Sequence, residues 1–182
     1  MTPEILTDLI AKSRKAAASE NPTSALREVL KSSQVNQSEM AEAIAAQEED
    51  EVLLFEDETC SIWTCRYNAD QVMPPHEHCM TVHIAVYRGN EVEVLYHREE
   101  DKLRHAKNRV VKTGELLSLG PDAVHAVTAD GEGQSHAIHI YQGPLTNVTR
   151  SLFDWNSGGK VDFTMENFHA MLRNRSEVEG LG

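Results

Sequence analysis

From residue 51 onward, the chain consists of short runs rich in β-branched and aromatic residues, and this pattern constrains the fold more than any other feature. Turn-forming residues such as Pro74-Pro75 and Gly89-Asn90 separate the runs. The runs are Val52–Phe55, Cys60–Tyr67, Val82–Tyr87, Val92–Tyr96, Leu116–Leu119, Val124–Val127 and Ala137–Tyr141. Many short strands without helical patterns between them predict a barrel or sandwich. Gly89-Asn90 lies between two alternating runs, which predicts a tight hairpin there.

Helical patterns flank this central region. Thr2-Pro3 and Asn21-Pro22 each combine a capping residue with a proline suited to the first helical position. Asn36 begins a third helical segment, and Thr164 can cap a helix near the end of the chain. We therefore predict one domain with three parts: N-terminal helices packed on the barrel (1–50), a β-barrel (51–160), and a C-terminal helix and tail (161–182).

Charge and cysteine content exclude several classes of protein. The chain has 182 residues and a formal net charge of −12, so nucleic acid and anionic membranes are not expected as partners. Its three cysteines lack the spacing of a disulfide framework, and no apolar run approaches the roughly 18 residues that span a membrane. We expect a cytoplasmic protein that acts on a small molecule, and we leave assembly into a homo-oligomer open.

The most specific functional signal is His76-Glu77-His78, which follows Pro74-Pro75. Residues two apart on a strand point to the same face, so both imidazoles can converge on one point inside a barrel. The strand Val82–Tyr87 follows these histidines. About 35 residues after that strand, Gly120-Pro121-Asp122 forms a turn that leads to His125.

These segments resemble the two sequence motifs of the cupins between Gln71 and Ala129. The resemblance implies a double-stranded β-helix, the cupin or jelly-roll barrel, that holds a metal ion through His76, His78 and His125. The glutamate that serves as a fourth ligand in the motif has no equivalent here, because its place falls on Val82 or His83. Val82 is an even number of residues from His76 and His78, so the alternation of side chains along a strand places Val82, and not His83, on their face. His83 as a fourth ligand stays an alternative to a histidine that faces outward or fills a polar pocket.

A narrower resemblance extends over roughly Ser61 to Leu145 and is clearest from Ser135 onward. His139 and Tyr141 alternate along a strand, as do a histidine and a tyrosine in the thiol dioxygenases, the cysteine dioxygenase family of cupins. That resemblance implies Fe(II) as the metal and makes His139 and Tyr141 candidate catalytic residues. The family also binds its substrate carboxylate through an arginine, for which Arg66 and Arg88 are the candidates by proximity in sequence.

The expected function is the Fe(II)-dependent oxidation of a small thiol to a sulfinate with O2. Three imidazoles also suit Zn, Ni, Mn or Cu, so the type of ligand does not select the metal. Two alternatives stay open: a three-histidine cupin dioxygenase that cleaves a diketone-like substrate, and a non-catalytic cupin that binds a metal or small ligand.

Overall fold

The computed structural model describes residues 2–99, 102–131 and 133–181. The helices in these ranges are α1 (Glu4–Ala17), α2 (Pro22–Ser33), α3 (Gln37–Ala45) and α4 (Met165–Ala170). Two of the predicted caps are confirmed, because Asn21 accepts a hydrogen bond from the Ser24 N–H and Thr164 accepts one from the Asn167 N–H. No helix in the described ranges has both the length and the apolar character needed to cross a membrane.

The strands form two antiparallel sheets. They are β1 (Glu51–Glu56), β2 (Ser61–Asn68), β3 (Gln71–Glu77), β4 (Val82–Arg88), β5 (Asn90–Glu99), β6 (Lys102–Lys112), β7 (Leu116–Leu119), β8 (Val124–Asp130), β9 (Gln134–Tyr141), β10 (Ser151–Phe153), β11 (Lys160–Asp162) and β12 (Arg173–Asn174). A five-stranded sheet has the order β1-β2-β9-β4-β7. A seven-stranded sheet has the order β11-β10-β3-β8-β5-β6, with β12 beside β3. The predicted all-β core is confirmed.

Two long strands, β3 and β6, were not among the predicted runs. In β3, the prolines Pro74 and Pro75 lie within a shift of register against β8, between Met73 and His76. Proline has no N–H to donate to a neighbouring strand, so a bulge is where it is tolerated. Most of β6 is exposed, and five of its eleven residues are Lys or Arg, so it lacks the apolar alternation by which a strand is recognised.

The hairpin predicted at Gly89-Asn90 is wrong. Strand β4 belongs to the five-stranded sheet and β5 to the seven-stranded sheet, so Gly89 is the corner where the chain passes from one to the other. Its φ is +67°, and a Cβ atom would lie 2.8 Å from the carbonyl oxygen of Gln134. The glycine is needed for this close approach as well as for its backbone angle.

The helices cover the outer face of the five-stranded sheet. Leu6, Leu26 and Leu30 are fully buried, and each such burial contributes about 1.5–3 kcal/mol. Their cluster includes Ile62, Ile138 and Ile140 of the sheet. The division of the chain at residues 50 and 160 stays a prediction, and β11 crosses the second of these boundaries.

The C-terminal segment covers part of the seven-stranded sheet. Val92 and Val94 of β5 are buried in a cluster with Val178 and Leu181. Side chains alternate along a strand, so Glu91 and Glu93 point to the opposite face, towards the interior of the barrel. Both glutamates are fully buried.

Candidate metal centre

Three buried histidines meet between β3 and β8. His76 lies directly opposite His125 in the register of the two strands. His78 directly follows β3, and its Nε2 lies within 3.4 Å of the Nε2 of both. The nitrogen atoms that they offer all lie within 4.8 Å of one another. The bulge at Pro74-Pro75 sets the register that brings His76 opposite His125, so the local backbone creates the convergence.

The hydrogen bonds of these rings determine which nitrogens face inward. The Nδ1 of His76 lies 2.9 Å from the Pro74 carbonyl oxygen, which can only accept, so this nitrogen carries the proton. The Nδ1 of His125 contacts the Glu93 carboxylate. The Nε2 lone pairs of both rings therefore point at the Nε2 of His78, which can donate a proton to only one of them. A cation between the three nitrogens would satisfy all three lone pairs.

The spacing of the nitrogens fits such a cation. The Nε2 of His78 lies 3.0 Å from that of His76 and 3.4 Å from that of His125. Nitrogens bound about 2.1 Å from a metal, at angles of roughly 90–110°, are separated by about 3.0–3.4 Å. The residues thus fit a divalent metal ion bound by three imidazoles.

Protonation favours metal binding as well. Burial lowers the pKa of His125 to about 3. Burial, followed by the charges of the neighbouring histidines, holds the pKa of His76 and of His78 well below the usual range. All three rings are therefore neutral near pH 7, and the neutral imidazole is the form that binds a metal.

A cavity of about 200 Å³ adjoins the three histidines. His139 and Tyr141, which the sequence analysis selected, both line it. Further walls come from Glu51, Trp63, Cys65, Tyr67, Met73, Val127, Leu145, Arg150, Phe163, Met165 and Phe168. The volume is below that of a typical pocket for a drug-sized ligand, so the cavity suits a substrate of few atoms.

His139 and Tyr141 are in contact beside the metal ligands. The His139 Nδ1 lies 3.4 Å from the Tyr141 Oη, and the Tyr141 ring packs edge-on against His78 with 4.9 Å between ring centroids. Burial alone would lower the pKa of His139, but the acidic groups around it, Cys65, Glu91 and Tyr141, bring it well above its ordinary value. Burial raises the pKa of Tyr141. The pair can therefore hold a proton at the edge of the cavity.

Two carboxylates that the sequence analysis missed support these histidines. Glu91 lies 3.0 Å from the His139 Nε2, and Glu93 contacts the His125 Nδ1. Burial raises the pKa of each carboxyl to about 7. The sequence did contain a signal for them, a Glu-x-Glu pattern inside an apolar strand. However, Val92 and Val94 alternate with the two glutamates, and their apolar side chains suggested that only the face they share is buried.

The structure does not bring Arg66 or Arg88 to the cavity. Arg66 donates to the Ala45 carbonyl at 3.1 Å and pairs with Asp50, which places it beside the end of α3. Arg88 is exposed at the end of β4.

Arg150 is the arginine that lines the cavity. Its guanidinium lies 3.4 Å from the centre of the Phe163 ring, and burial lowers its pKa. None of the ion pairs in the described part of the chain involves it. It lies in an irregular segment between β9 and β10, outside any motif, so only the tertiary structure reveals it.

His83 is not brought to the three histidines. Its Nδ1 lies 2.8 Å from the Ser118 hydroxyl, and its Nε2 lies 2.8 Å from the side-chain nitrogen of Gln142. Ser118 in turn accepts from Arg27 of α2, so His83 fills a polar pocket beneath that helix. Val82, which the strand parity had selected for the inward position, pairs with Tyr141.

Comparisons with known proteins find similar solved structures at low sequence identity. No family model and no curated protein matches the sequence. A Bacillus halodurans structure matches 60% of this chain and 78% of its own at 13% identity and a TM-score of 0.50. A protein with a double-stranded β-helix domain from Klebsiella pneumoniae matches 58% and 86% at 15% identity and a TM-score of 0.43. A cupin superfamily protein from Desulfitobacterium hafniense matches 56% and 85% at 15% identity and a TM-score of 0.44.

The two antiparallel sheets form a double-stranded β-helix, with helices at the N-terminus and a short helix near the C-terminus, as predicted. Within that fold, a group of three buried histidines could hold a metal ion. The narrower resemblance to thiol dioxygenases stays a prediction.

We predict that His76→Ala, His78→Ala and His125→Ala each reduce bound metal to well below one ion per chain. Each substitution removes one of three nitrogens around a single point. Metal analysis of protein purified without added metal measures the effect. His83→Ala is the control and should keep the wild-type metal content. A full complement of metal in any of the first three variants would contradict the assignment of that ligand.

Proposed function

We propose that this protein is an Fe(II)-dependent dioxygenase that oxidises a small thiol carrying a carboxylate to a sulfinate. The observation that carries the proposal is a centre of three neutral histidines without a carboxylate ligand, next to Tyr141 and to the half-buried guanidinium of Arg150. The reaction adds both atoms of O2 to the sulfur. Sulfur loses four electrons and O2 gains four, so no further reductant is required.

When bound, Fe(II) would supply coordination of the thiolate and the electrons that activate O2. His76, His78 and His125 would hold it. Three protein ligands leave positions free on the cavity side, which a carboxylate ligand would otherwise reduce by one.

His139 and Tyr141 form a proton-holding pair at the reacting end of the cavity. Glu91 accepts from the His139 Nε2, which leaves the Nδ1 directed at the Tyr141 Oη. The tyrosine hydroxyl is thereby oriented and can donate to an oxygen atom of the substrate or product. Ala137 stands where the thiol dioxygenases have a serine, so Glu91 is the orienting group in this chain.

Arg150 selects the class of substrate in this proposal. A guanidinium in a small cavity with aromatic walls attracts an anion, and a carboxylate matches its planar donor geometry. The volume of about 200 Å³ limits that anion to a short chain. Trp63, Phe163 and Phe168 line the cavity with apolar surface that displaces water from the reacting groups.

Oxygen uptake by the Fe(II)-loaded protein tests the function. With a short mercapto acid, we expect O2 consumption equal to the thiol consumed and a product heavier by two oxygen atoms. The alkanethiol of the same chain length should react more slowly because it lacks the carboxylate. The Zn(II)-loaded protein is the control and should consume no O2.

Uptake with a β-diketone alone would indicate carbon–carbon cleavage instead. A lack of uptake with every compound would indicate a non-catalytic cupin.

Tyr141→Phe should bind iron normally and lower kcat by about 10–1000-fold, the size of effect expected when an acid–base or hydrogen-bonding group is lost. Tyr87→Phe is the matched control, because the Tyr87 hydroxyl is also buried but contacts Ser33 of α2, outside the cavity. Steady-state O2 uptake measures both variants. Unchanged turnover in Tyr141→Phe would assign this tyrosine to packing.

Arg150→Gln should raise KM for a mercapto acid by about 10–100-fold, since a hydrogen bond to a charged group contributes about 1.5–3 kcal/mol. The rate with the matching alkanethiol should stay the same. Arg88→Gln removes an exposed arginine outside the cavity and should leave both rates unaltered. Equal KM values in Arg150→Gln and wild type would remove Arg150 from substrate binding.

A further inference from the structure

The interior face of β5 carries two fully buried carboxylates, Glu91 and Glu93. Burial of a carboxylate is costly unless charge or hydrogen bonds compensate for it. Each of the two contacts one imidazole: Glu91 meets His139, and Glu93 meets His125 through its Oε2. The Oε1 of Glu93 has no hydrogen-bond partner in the described part of the chain. An apolar residue would fill this position at a lower cost, so the carboxylate calls for a functional explanation.

The metal centre provides such an explanation. Three neutral imidazoles leave both charges of a divalent cation without compensation in a buried site. Glu77 lies between two of the ligands in sequence, but its carboxylate points away, 3.0 Å from the Lys160 Nζ and 3.8 Å from Arg98. Glu93 is the buried carboxylate that touches a ligand.

The contact also determines which nitrogen of His125 faces the cavity. A carboxylate at Nδ1 keeps the proton on that nitrogen and leaves the Nε2 lone pair for the metal. His76 obtains the same tautomer from a different source, the neutral Pro74 carbonyl. Two of the three ligands thus have their outer nitrogen bound by an acceptor, and only His125 uses a charged one.

We propose that Glu93 is a positioning residue of the metal centre, which orients His125 and places a negative charge one imidazole away from the ion. This inference rests on the metal centre of the proposed function and not on the reaction. Glu91, two residues earlier, acts on His139 and therefore on the proton-holding pair rather than on the metal.

Metal titration of the apoprotein tests the proposal, with Zn(II) and Co(II) as probes. Glu93→Gln should weaken binding by about 10–100-fold, the usual effect of losing a carboxylate behind a histidine ligand. Glu77→Gln is the matched control, because it removes a carboxylate next to two ligands in sequence without a contact to either ring, and its Kd should equal that of wild type. Glu91→Gln should weaken binding less than Glu93→Gln does.

Two results would overturn the proposal. One is a Kd of Glu93→Gln equal to that of Glu77→Gln. The other is an equal loss of affinity in Glu91→Gln and Glu93→Gln. That result would mean that any buried negative charge near the site strengthens metal binding, without a specific role for the contact between Glu93 and His125. Failure of the wild-type protein to bind either ion would instead refute the metal centre and the proposed function together, so the two failures are distinguishable.

A second measurement needs no variant and does not depend on how Glu93→Gln folds. Proton–nitrogen NMR of the Zn(II)-loaded protein, labelled with 15N at histidine, reports the tautomer of each ring. We expect His125 to bind through Nε2 and to carry a slowly exchanging proton on Nδ1 that is shifted downfield by the carboxylate. Binding through Nδ1, or an Nδ1 without a proton, would contradict the role of Glu93.

Discussion

The site depends on three histidine nitrogens that face one another at 3.0 and 3.4 Å in a buried space. Neutral rings with lone pairs at this separation are stable only with a proton or a cation between them, and one proton cannot serve all three. The Pro74 carbonyl and the Glu93 carboxylate hold two rings in the orientation that directs Nε2 inward. Burial of the same three rings lowers the pKa of each, so that all three stay neutral.

The two sheets contribute different residues to the site. The five-stranded sheet is covered outside by α1, α2 and α3, and its inner face presents His139 and Tyr141 to the cavity. The seven-stranded sheet contributes His76 from β3, His125 from β8 and the buried carboxylates from β5, and His78 directly follows β3. The proposed reaction would take place between them, with the proton-holding pair on one sheet and the three histidines on the other.

The two buried glutamates of the barrel interior each contact one histidine, and these contacts help to offset the cost of burying them. Glu91 pairs with His139 and Glu93 with His125, while His83 is satisfied on the other side of the sheet by Ser118 and Gln142. Arg150 differs, since it stacks on Phe163 instead of pairing with a carboxylate. A half-buried guanidinium that lines the cavity and forms no ion pair within the described residues is suited to an anionic ligand, and this supports the proposed class of substrate.

The sequence by itself determined the all-β core, the caps at Asn21 and Thr164, and the convergence of His76 with His78, because strand alternation and capping are local properties. Strand parity also selected Val82 over His83 for the inward position. The tertiary structure alone decided which sheet each strand joins, and so it turned the expected hairpin at Gly89 into a corner. It also decided which face of β5 meets the cavity and which arginine lies there. The orientation of β5 depends on the C-terminal segment, which covers Val92. The choice of arginine depends on where the irregular segment between β9 and β10 lies. No local pattern encodes such contacts between residues that are distant in the chain.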